Sequence, residues 1–120
     1  MKHKLFDSEL KVMEVLWRGG EMPARDIARV LSESIGWNKN TTYTVLKKCI
    51  EKGAAIREDP GSRCRACVTR EEVQRTQAHE LMEKMFGGSP SSLVASLLGG
   101  SEKLPDEEIE RLHRLIDTLR

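Results

Sequence analysis

Long apolar runs are absent from this sequence of 120 residues. No segment approaches the roughly 18 consecutive apolar residues that a membrane-spanning helix requires. The first residues, MKHKLFDSEL, also lack the apolar stretch of a signal peptide. Aromatic residues make up only 4%, so the core must be built mainly from Leu, Val, Ile, Ala and Met. We therefore expect a mainly helical, cytoplasmic protein without membrane insertion.

Cysteines are few, and their number argues against structural disulfides. The three thiols form an odd set without the spacing of a disulfide framework, which fits a reducing cytosol. Cys64 and Cys67 have the spacing of a metal-ligand pair, but residues three apart in an extended strand face opposite sides. The histidines His3, His79 and His113 form no pair at helical spacing. We predict no metal site and no cofactor.

Catalytic signatures are missing as well. The sequence contains no glycine-rich phosphate loop and no ordered Ser/His/Asp set. Its carboxylates cluster at helix starts of surface character, away from the apolar neighbours that would shift their pKa values. We therefore predict that the protein is not an enzyme.

The net charge of +1 conceals a difference between the two parts of the chain. Residues 1–70 contain 14 Lys/Arg and 9 Asp/Glu, a net charge of +5, whereas residues 71–120 contain 6 and 10, a net charge of −4. A basic N-terminal part is the better candidate for binding a polyanion.

Two helices are predicted near the N-terminus. The first begins at Asp7 or Ser8, either of which can cap it, and ends near Arg18 before a Gly-Gly pair. The second has Met22-Pro23 in its first turn and ends between residues 34 and 36. Its predicted buried stripe consists of Ile27, Val30 and Leu31.

The stretch GWNKNTTYTVLKKCIEKG predicts a third helix, with Asn38 as its N-cap and Gly53 as its terminator. At about 100° per residue, one arc of this helix is suited to burial. That arc comprises Thr42, Val45, Leu46, Cys49 and Ile50. The opposite arc comprises Asn40, Thr44, Lys47, Lys48 and Glu51, with Tyr43 at the border. Its hydroxyls, amide and lysines suit contact with another molecule.

A hairpin around Pro60-Gly61 is the only β element that the sequence predicts. Three helices and a hairpin describe a winged helix-turn-helix, in which the third helix enters the DNA major groove and the wing reaches the backbone. Asn and Thr can read base edges, and Lys and Arg can bind guanine or phosphate. The predicted DNA-binding residues are Asn38, Lys39, Asn40, Thr41, Tyr43, Thr44, Lys47, Lys48, Arg57, Arg63 and Arg65.

Residues 71–120 predict three short amphipathic helices with more apolar surface than they can bury among themselves. A second copy of the chain is expected to cover this surface, which predicts a homodimer. The predicted dimerisation residues are Leu81, Met85, Phe86, Leu93, Leu97, Ile109, Leu112 and Ile116. The predicted fold is mainly α with a small β-hairpin: a winged helix-turn-helix DNA-binding domain at 1–70 and a C-terminal helical dimerisation domain at 71–120.

Five segments, in this order along the chain, are distributed over nearly its whole length: LFDSELKVMEVLWRGGEMPARDIARVL, WNKNTTYTVLKKCIEKGAA, VTREE, LMEKMFGGSPSSLVASLL and LPDEEIERLHRLI. Through them the sequence resembles the penicillinase and methicillin-resistance repressors, to which copper-responsive repressors are related. The resemblance implies a dimeric winged-helix repressor that binds a palindromic operator in double-stranded DNA. Such a repressor blocks transcription of a resistance or stress operon.

The resemblance also carries expectations for single residues. Asn38 and Thr41 to Thr44 match the family's first-turn cap and Thr-x-x-Thr segment, whereas Tyr43 stands where the family often has Arg. In the family, a membrane-bound metalloprotease sensor can trigger cleavage of the repressor's C-terminal part. The matching bond here is Ser96-Leu97, where the better-known members have Asn followed by Phe.

Two alternatives remain open. One is a metal- or redox-responsive repressor that uses Cys49, Cys64 and Cys67, although this sequence lacks the C-terminal cysteine cluster of the copper-responsive relatives. The other is a winged-helix protein-interaction module that does not bind DNA. A neighbouring gene for a membrane metalloprotease would favour cleavage, and one for a metal exporter would favour the cysteines.

Overall fold

The computed structural model contains the helices and the hairpin that the sequence predicts, together with one additional strand. It describes residues 4–100 and 103–120, so His3 lies outside the described residues. Its elements are α1 (Asp7–Gly19), β1 (Met22–Pro23), α2 (Ala24–Ile35), α3 (Lys39–Glu51), β2 (Ala55–Glu58), β3 (Arg63–Ala66), α4 (Arg70–Met85), α5 (Pro90–Leu98) and α6 (Asp106–Asp117). The predicted fold class, mainly α with a small β component, is confirmed. Within these ranges, no helix is both long and apolar enough to cross a bilayer.

The first turn of α1 is closed by a different residue from those predicted. Phe6 occupies the N-cap position, and its backbone N–H donates a hydrogen bond to Glu9 Oε1 at 2.8 Å. This is the glutamate half of a capping box. The expectation that Asp7 or Ser8 caps the helix is wrong, because the helix already includes Asp7.

Met22 and Pro23 form β1 instead of the first turn of the second helix. The sheet is antiparallel in the order β1-β3-β2, and Cys64 of β3 pairs with both Met22 and Arg57. The prediction that the hairpin is the only β element is therefore wrong. A two-residue strand has no alternation to reveal it, and its pairing with β3 depends on tertiary packing.

The core lies between α1, α2, α3 and the sheet. Its largest fully buried apolar side chains are Leu5, Val12, Met13, Ile27 and Leu46. The predicted buried arc of α3 is confirmed for Thr42, Val45, Leu46 and Cys49. Two predicted positions differ, since Ile50 is only partly buried and Val30 is 39% exposed. Val30 is exposed because it borders an open cleft between α1 and α2.

Thr42 is fully buried, and its hydroxyl finds no hydrogen-bond partner among the described residues. An unpaired buried hydroxyl costs about 1–3 kcal/mol, so Thr42→Val is expected to raise the free energy of unfolding by about 1 kcal/mol. Urea denaturation measures this change. Thr44→Val is the matched control on the exposed arc and should stay within about 0.5 kcal/mol. A less stable Thr42→Val protein would contradict the prediction.

The structure contains two compact units, residues 1–77 and 78–120, and the division falls within α4. In the second unit, none of the residues 78–100 and 103–120 is buried. Two helices of this unit begin at local signals: α5 begins at Pro90, where Ser89 Oγ accepts a hydrogen bond from Ser92 N–H at 3.1 Å, and α6 follows Pro105. The predicted division into domains 1–70 and 71–120 stays a prediction.

Apolar side chains of the second unit remain accessible. Among the predicted dimerisation residues, the exposed ones are Leu81, Met85, Leu97, Ile109 and Ile116, and the partly buried ones are Phe86, Leu93 and Leu112. The largest exposures are 68% for Met85 and 72% for Leu97. Burial of these side chains by a second copy stays a prediction.

Candidate nucleic-acid interface

A short turn between α2 and α3 determines where α3 begins. Gly36 has a left-handed backbone, with φ of 75°, and its N–H donates to Ser32 O at 3.1 Å, which ends α2. Asn38 then caps α3, since its Oδ1 accepts a hydrogen bond from Thr41 N–H at 2.8 Å. The predicted cap is therefore confirmed. Because Oδ1 is occupied, the side-chain amide N–H groups of Asn38 are the ones left for another partner.

The exposed arc of α3 borders an open groove. The residues predicted for this arc, Asn40, Thr44, Lys47, Lys48 and Glu51, are all exposed. Asn40, Thr44 and Lys47 line a groove of about 410 Å³ together with Tyr43 and with Arg57 of β2. One concave surface thus presents an amide, a hydroxyl, a phenol and two cations.

A second cleft lies on the α2 side of α3. It measures about 280 Å³, and its lining includes Arg25 and Arg29 of α2 with Lys39 and Tyr43 of α3. Arg25 and Arg29 were not among the predicted DNA-binding residues, although arginines four residues apart share one face of a helix. Arg29 also pairs with Asp26 at 3.2 Å, so Arg25 carries the less neutralised charge. Tyr43 lines both clefts, because it lies at the border of the arc, as predicted.

The wing comprises β2, β3 and their connecting turn. It carries three arginines that are predicted to bind DNA, and two of them are paired with carboxylates. Arg63 Nε lies 3.1 Å from Glu21 Oε2, and Arg65 Nη2 lies 3.3 Å from Glu58 Oε1. All four side chains are about half exposed, so these are weak ion pairs that nevertheless lower the local positive charge.

Arg57 differs from the other two wing arginines. Its Nη2 donates to the Ser62 hydroxyl at 2.9 Å, and it makes no ion pair within the described residues. The guanidinium is thereby oriented by a neutral group and keeps its full charge. Because Arg57 also lines the groove beside Lys47, it is the wing cation best placed to act together with α3.

The sequence matches a known protein family over nearly its whole length. The family model described as penicillinase repressor matches residues 5–118. The chain belongs to the penicillinase repressor family. The resemblance drawn from the sequence motifs is therefore confirmed, and the family indicates a winged-helix transcriptional repressor.

Two relatives of the chain are similar over most of their length. A penicillinase repressor from Bacillus licheniformis is 25% identical over 119 residues, which is 95% of this chain and 90% of the relative. An uncharacterised 16.5 kDa protein in the ptsI 3′ region of Latilactobacillus sakei is 24% identical over 116 residues, covering 95% of this chain and 79% of that protein.

Among solved structures, a MarR family regulator from Neisseria meningitidis is similar to this chain. The similarity extends over 97% of this chain and 82% of the regulator's chain. The sequence identity is 17% and the TM-score is 0.44. The family of the chain is shown by the match to the family model.

The three cysteines of this penicillinase repressor family member are free thiols that differ in exposure. Cys64 is buried, whereas Cys67 lies beyond the end of β3 and is exposed. Burial raises the pKa of Cys49 to about 12 and also raises the pKa of Cys64. In the part of the chain that the structure describes, no group of three or more His, Cys, Asp or Glu residues is placed to hold a metal ion. The metal- or redox-responsive alternative gains no support from these positions.

The bond that matches the family's cleavage site lies in the last turns of α5. Ser96 and Leu97 are both exposed, but their backbone is helical. A protease acts on extended backbone, so this end of α5 must unwind before the bond is cut. Cleavage at Ser96-Leu97 stays a prediction.

Proposed function

We propose that this protein binds palindromic double-stranded DNA as a homodimer and represses a resistance or stress operon. The observation that carries the proposal is the exposed polar arc of α3, which has a cation-lined cleft on each side. An α-helix fits the major groove, and flanking cations then reach the phosphates on both sides of it. The relative named as a penicillinase repressor supports a resistance operon.

Each group in this arrangement has a proposed role. Asn40 and Thr44, uncharged and exposed, read base edges from α3. Lys47 and Arg57 bind phosphate on the wing side. On the α2 side the proposed phosphate ligands are Arg25, Arg29 and Lys39. Supporting contacts come from Asn38, Thr41, Lys48, Arg63 and Arg65. Tyr43 offers a phenol where the family often has Arg, so the preferred bases next to it are expected to differ.

A fluorescence anisotropy titration tests DNA binding directly. The probe is a palindromic duplex from the protein's own promoter, with a scrambled duplex of equal length as control. Binding is expected to prefer the palindrome and to weaken steeply with salt. The logarithm of the binding constant should fall with the logarithm of the salt concentration, with a slope of about −0.9 for each phosphate bound. An affinity that is independent of both the DNA sequence and the salt concentration would contradict the proposal. Stable capture of a protein partner in that case would favour the protein-interaction module.

Arg57 and Arg63 are expected to contribute unequally to DNA binding. Arg57→Ala should weaken binding to every sequence and lower the salt slope by about 1, because an unpaired cation is lost. Arg63→Ala should have a smaller effect, since Glu21 already neutralises part of its charge. Glu21→Gln, which releases Arg63, is the matched control and should strengthen binding. Equal losses for Arg57→Ala and Arg63→Ala would contradict this ranking.

The exposed apolar side chains of α4, α5 and α6 support dimerisation. Large apolar groups at 53% to 72% exposure, such as Met85, Leu97 and Ile116, are costly to hydrate and are stabilised by a partner surface. Sedimentation equilibrium at micromolar concentration is expected to give twice the mass of the chain. A monomer under those conditions would remove the proposed dimer.

Release from the operator is proposed to follow proteolysis by a membrane-bound metalloprotease sensor. Co-expression with a metalloprotease encoded beside this gene, followed by mass spectrometry of the fragments, tests this step. A cut at Ser96-Leu97 that abolishes operator binding is expected. An intact chain under inducing conditions would exclude cleavage as the signal.

A further inference from the structure

A cleft between α1 and α2 has no part in the proposed DNA contacts. It has a volume of about 410 Å³ and lies within the first unit. Apolar side chains form most of its walls: Val15, Met22, Val30, Leu31 and Ile35. Small-molecule sites in proteins are typically clefts of roughly 300–1,000 Å³ with mainly apolar walls, so both the size and the lining fit that class.

The α2 wall of the cleft is more exposed than its sequence pattern predicts. Val30 is 39% exposed and Ile35 is 44% exposed, although both lie on a helix that otherwise buries its apolar residues. The hydroxyl of Ser34 beside them donates to Val30 O at 2.8 Å and is already satisfied. The wall therefore offers apolar surface, and burying it against an apolar ligand is favourable.

The rim of the cleft carries a surplus of positive charge. Lys11 and Arg18 line it, with Glu14 as the one acidic residue among the lining side chains. Glu14 is already bound on both oxygens by Arg70, with 3.2 Å between Oε2 and Nε, and it also pairs with Arg18 at 2.9 Å. None of the ion pairs among the described residues involves Lys11, which is exposed. One carboxylate thus serves two guanidinium groups, and the lysine remains available for an anion.

We infer that this cleft binds a small amphipathic acid, a molecule with an apolar body and one carboxylate. The apolar body packs against Val15, Val30 and Ile35, and the carboxylate pairs with Lys11 and Arg18 at the rim. The charge of the rim favours this ligand over neutral or cationic ones. None of the residues that line this cleft is among the proposed DNA contacts, so the acid can bind whether or not DNA does.

Isothermal titration calorimetry with octanoate on the full chain tests the site. Octyltrimethylammonium is the probe with the same apolar body and the opposite charge. Lys11→Glu reverses the rim charge, and Val30→Asp places a carboxylate in the α2 wall. Both positions are exposed, so the fold should tolerate them, which thermal denaturation checks. Lys84→Glu is the matched charge reversal at a residue that does not line the cleft.

Saturable octanoate binding that weakens at least about tenfold in Lys11→Glu and Val30→Asp, but not in Lys84→Glu, supports the inference. Equal binding of octyltrimethylammonium would overturn the assignment of an acid. Absence of saturable octanoate binding, or binding indifferent to both cleft variants, would overturn the site itself. Sedimentation of Val30→Asp adds a further outcome: a changed oligomeric state without octanoate binding would identify the cleft as a contact between copies and overturn the ligand.

Discussion

Replacing Asn40 and Thr44 together by alanine is expected to remove most of the preference for the operator. Both side chains are exposed on α3, and both line the groove beside Lys47. A good polar contact with a base edge supplies about 1–3 kcal/mol of discrimination, so the loss of two should lower the ratio of operator to scrambled-DNA affinity by about 100-fold or more. Neither side chain carries charge, so affinity for scrambled DNA and the salt slope should change little.

Anisotropy titrations of both duplexes at two salt concentrations measure this ratio. The matched control is Gln74→Ala with Thr76→Ala, which removes an exposed amide and an exposed hydroxyl from α4. The control should keep the wild-type preference for the operator. An unchanged ratio in the Asn40/Thr44 variant would show that α3 is not the element that reads the sequence.

Local signals were sufficient to predict α3 and its exposed arc. Asn38 and Gly53 bracket α3, and the period of its apolar residues separates the buried arc from the exposed one. Helix capping and amphipathic period are properties of neighbouring residues, so one sequence contains them in full. The position of Tyr43 at the border followed from the same period.

The features that the sequence did not reveal depend on residues far apart in the chain. β1 exists because Met22 pairs with Cys64, and the charge of Arg63 is reduced because Glu21 lies beside it. Both pairings join residues about 42 positions apart, and no periodic pattern encodes them. Arg25 is a different case. The i,i+4 spacing of the two arginines of α2 is present in the sequence, but only the folded structure shows that they lie close to α3.

Loss of the Glu9 side chain is expected to destabilise the protein strongly. Glu9 is 1% exposed, and its Oε1 accepts hydrogen bonds from Phe6 N–H at 2.8 Å and from Lys52 Nζ. Lys52 Nζ also donates to Lys4 O at 2.7 Å and lies 4.1 Å from the centre of the Phe6 ring. Glu9→Ala leaves this poorly solvated ammonium without its carboxylate and opens the first turn of α1. We expect a loss of about 3 kcal/mol in the free energy of unfolding.

Urea denaturation at neutral pH measures this loss. Glu51→Ala is the matched control, because Glu51 is exposed on α3 and makes no ion pair within the described residues. It should change the free energy of unfolding by less than about 0.5 kcal/mol. A similar small change in Glu9→Ala would mean that the pair with Lys52 contributes little to stability.

The contribution of Glu9 should also depend on pH, in a direction set by its pKa. Burial alone raises the pKa of Glu9, but the hydrogen bonds from Lys52 and Phe6 outweigh burial and hold the pKa below its ordinary value of 4.5. The carboxyl therefore binds a proton less readily in the folded than in the unfolded chain, so its stabilising effect is complete above about pH 4.5 and is lost as the pH falls through the folded pKa. The difference in free energy of unfolding between wild type and Glu9→Gln should be constant near neutral pH and should become smaller in acid.

A second glutamate with a lowered pKa does not disturb this measurement. Because both proteins retain Glu14, whose pKa is lowered mainly by the hydrogen bond from Arg70, its titration cancels in the difference. A difference that does not narrow as the pH falls below about 4.5 would contradict a lowered pKa of Glu9 in the folded protein.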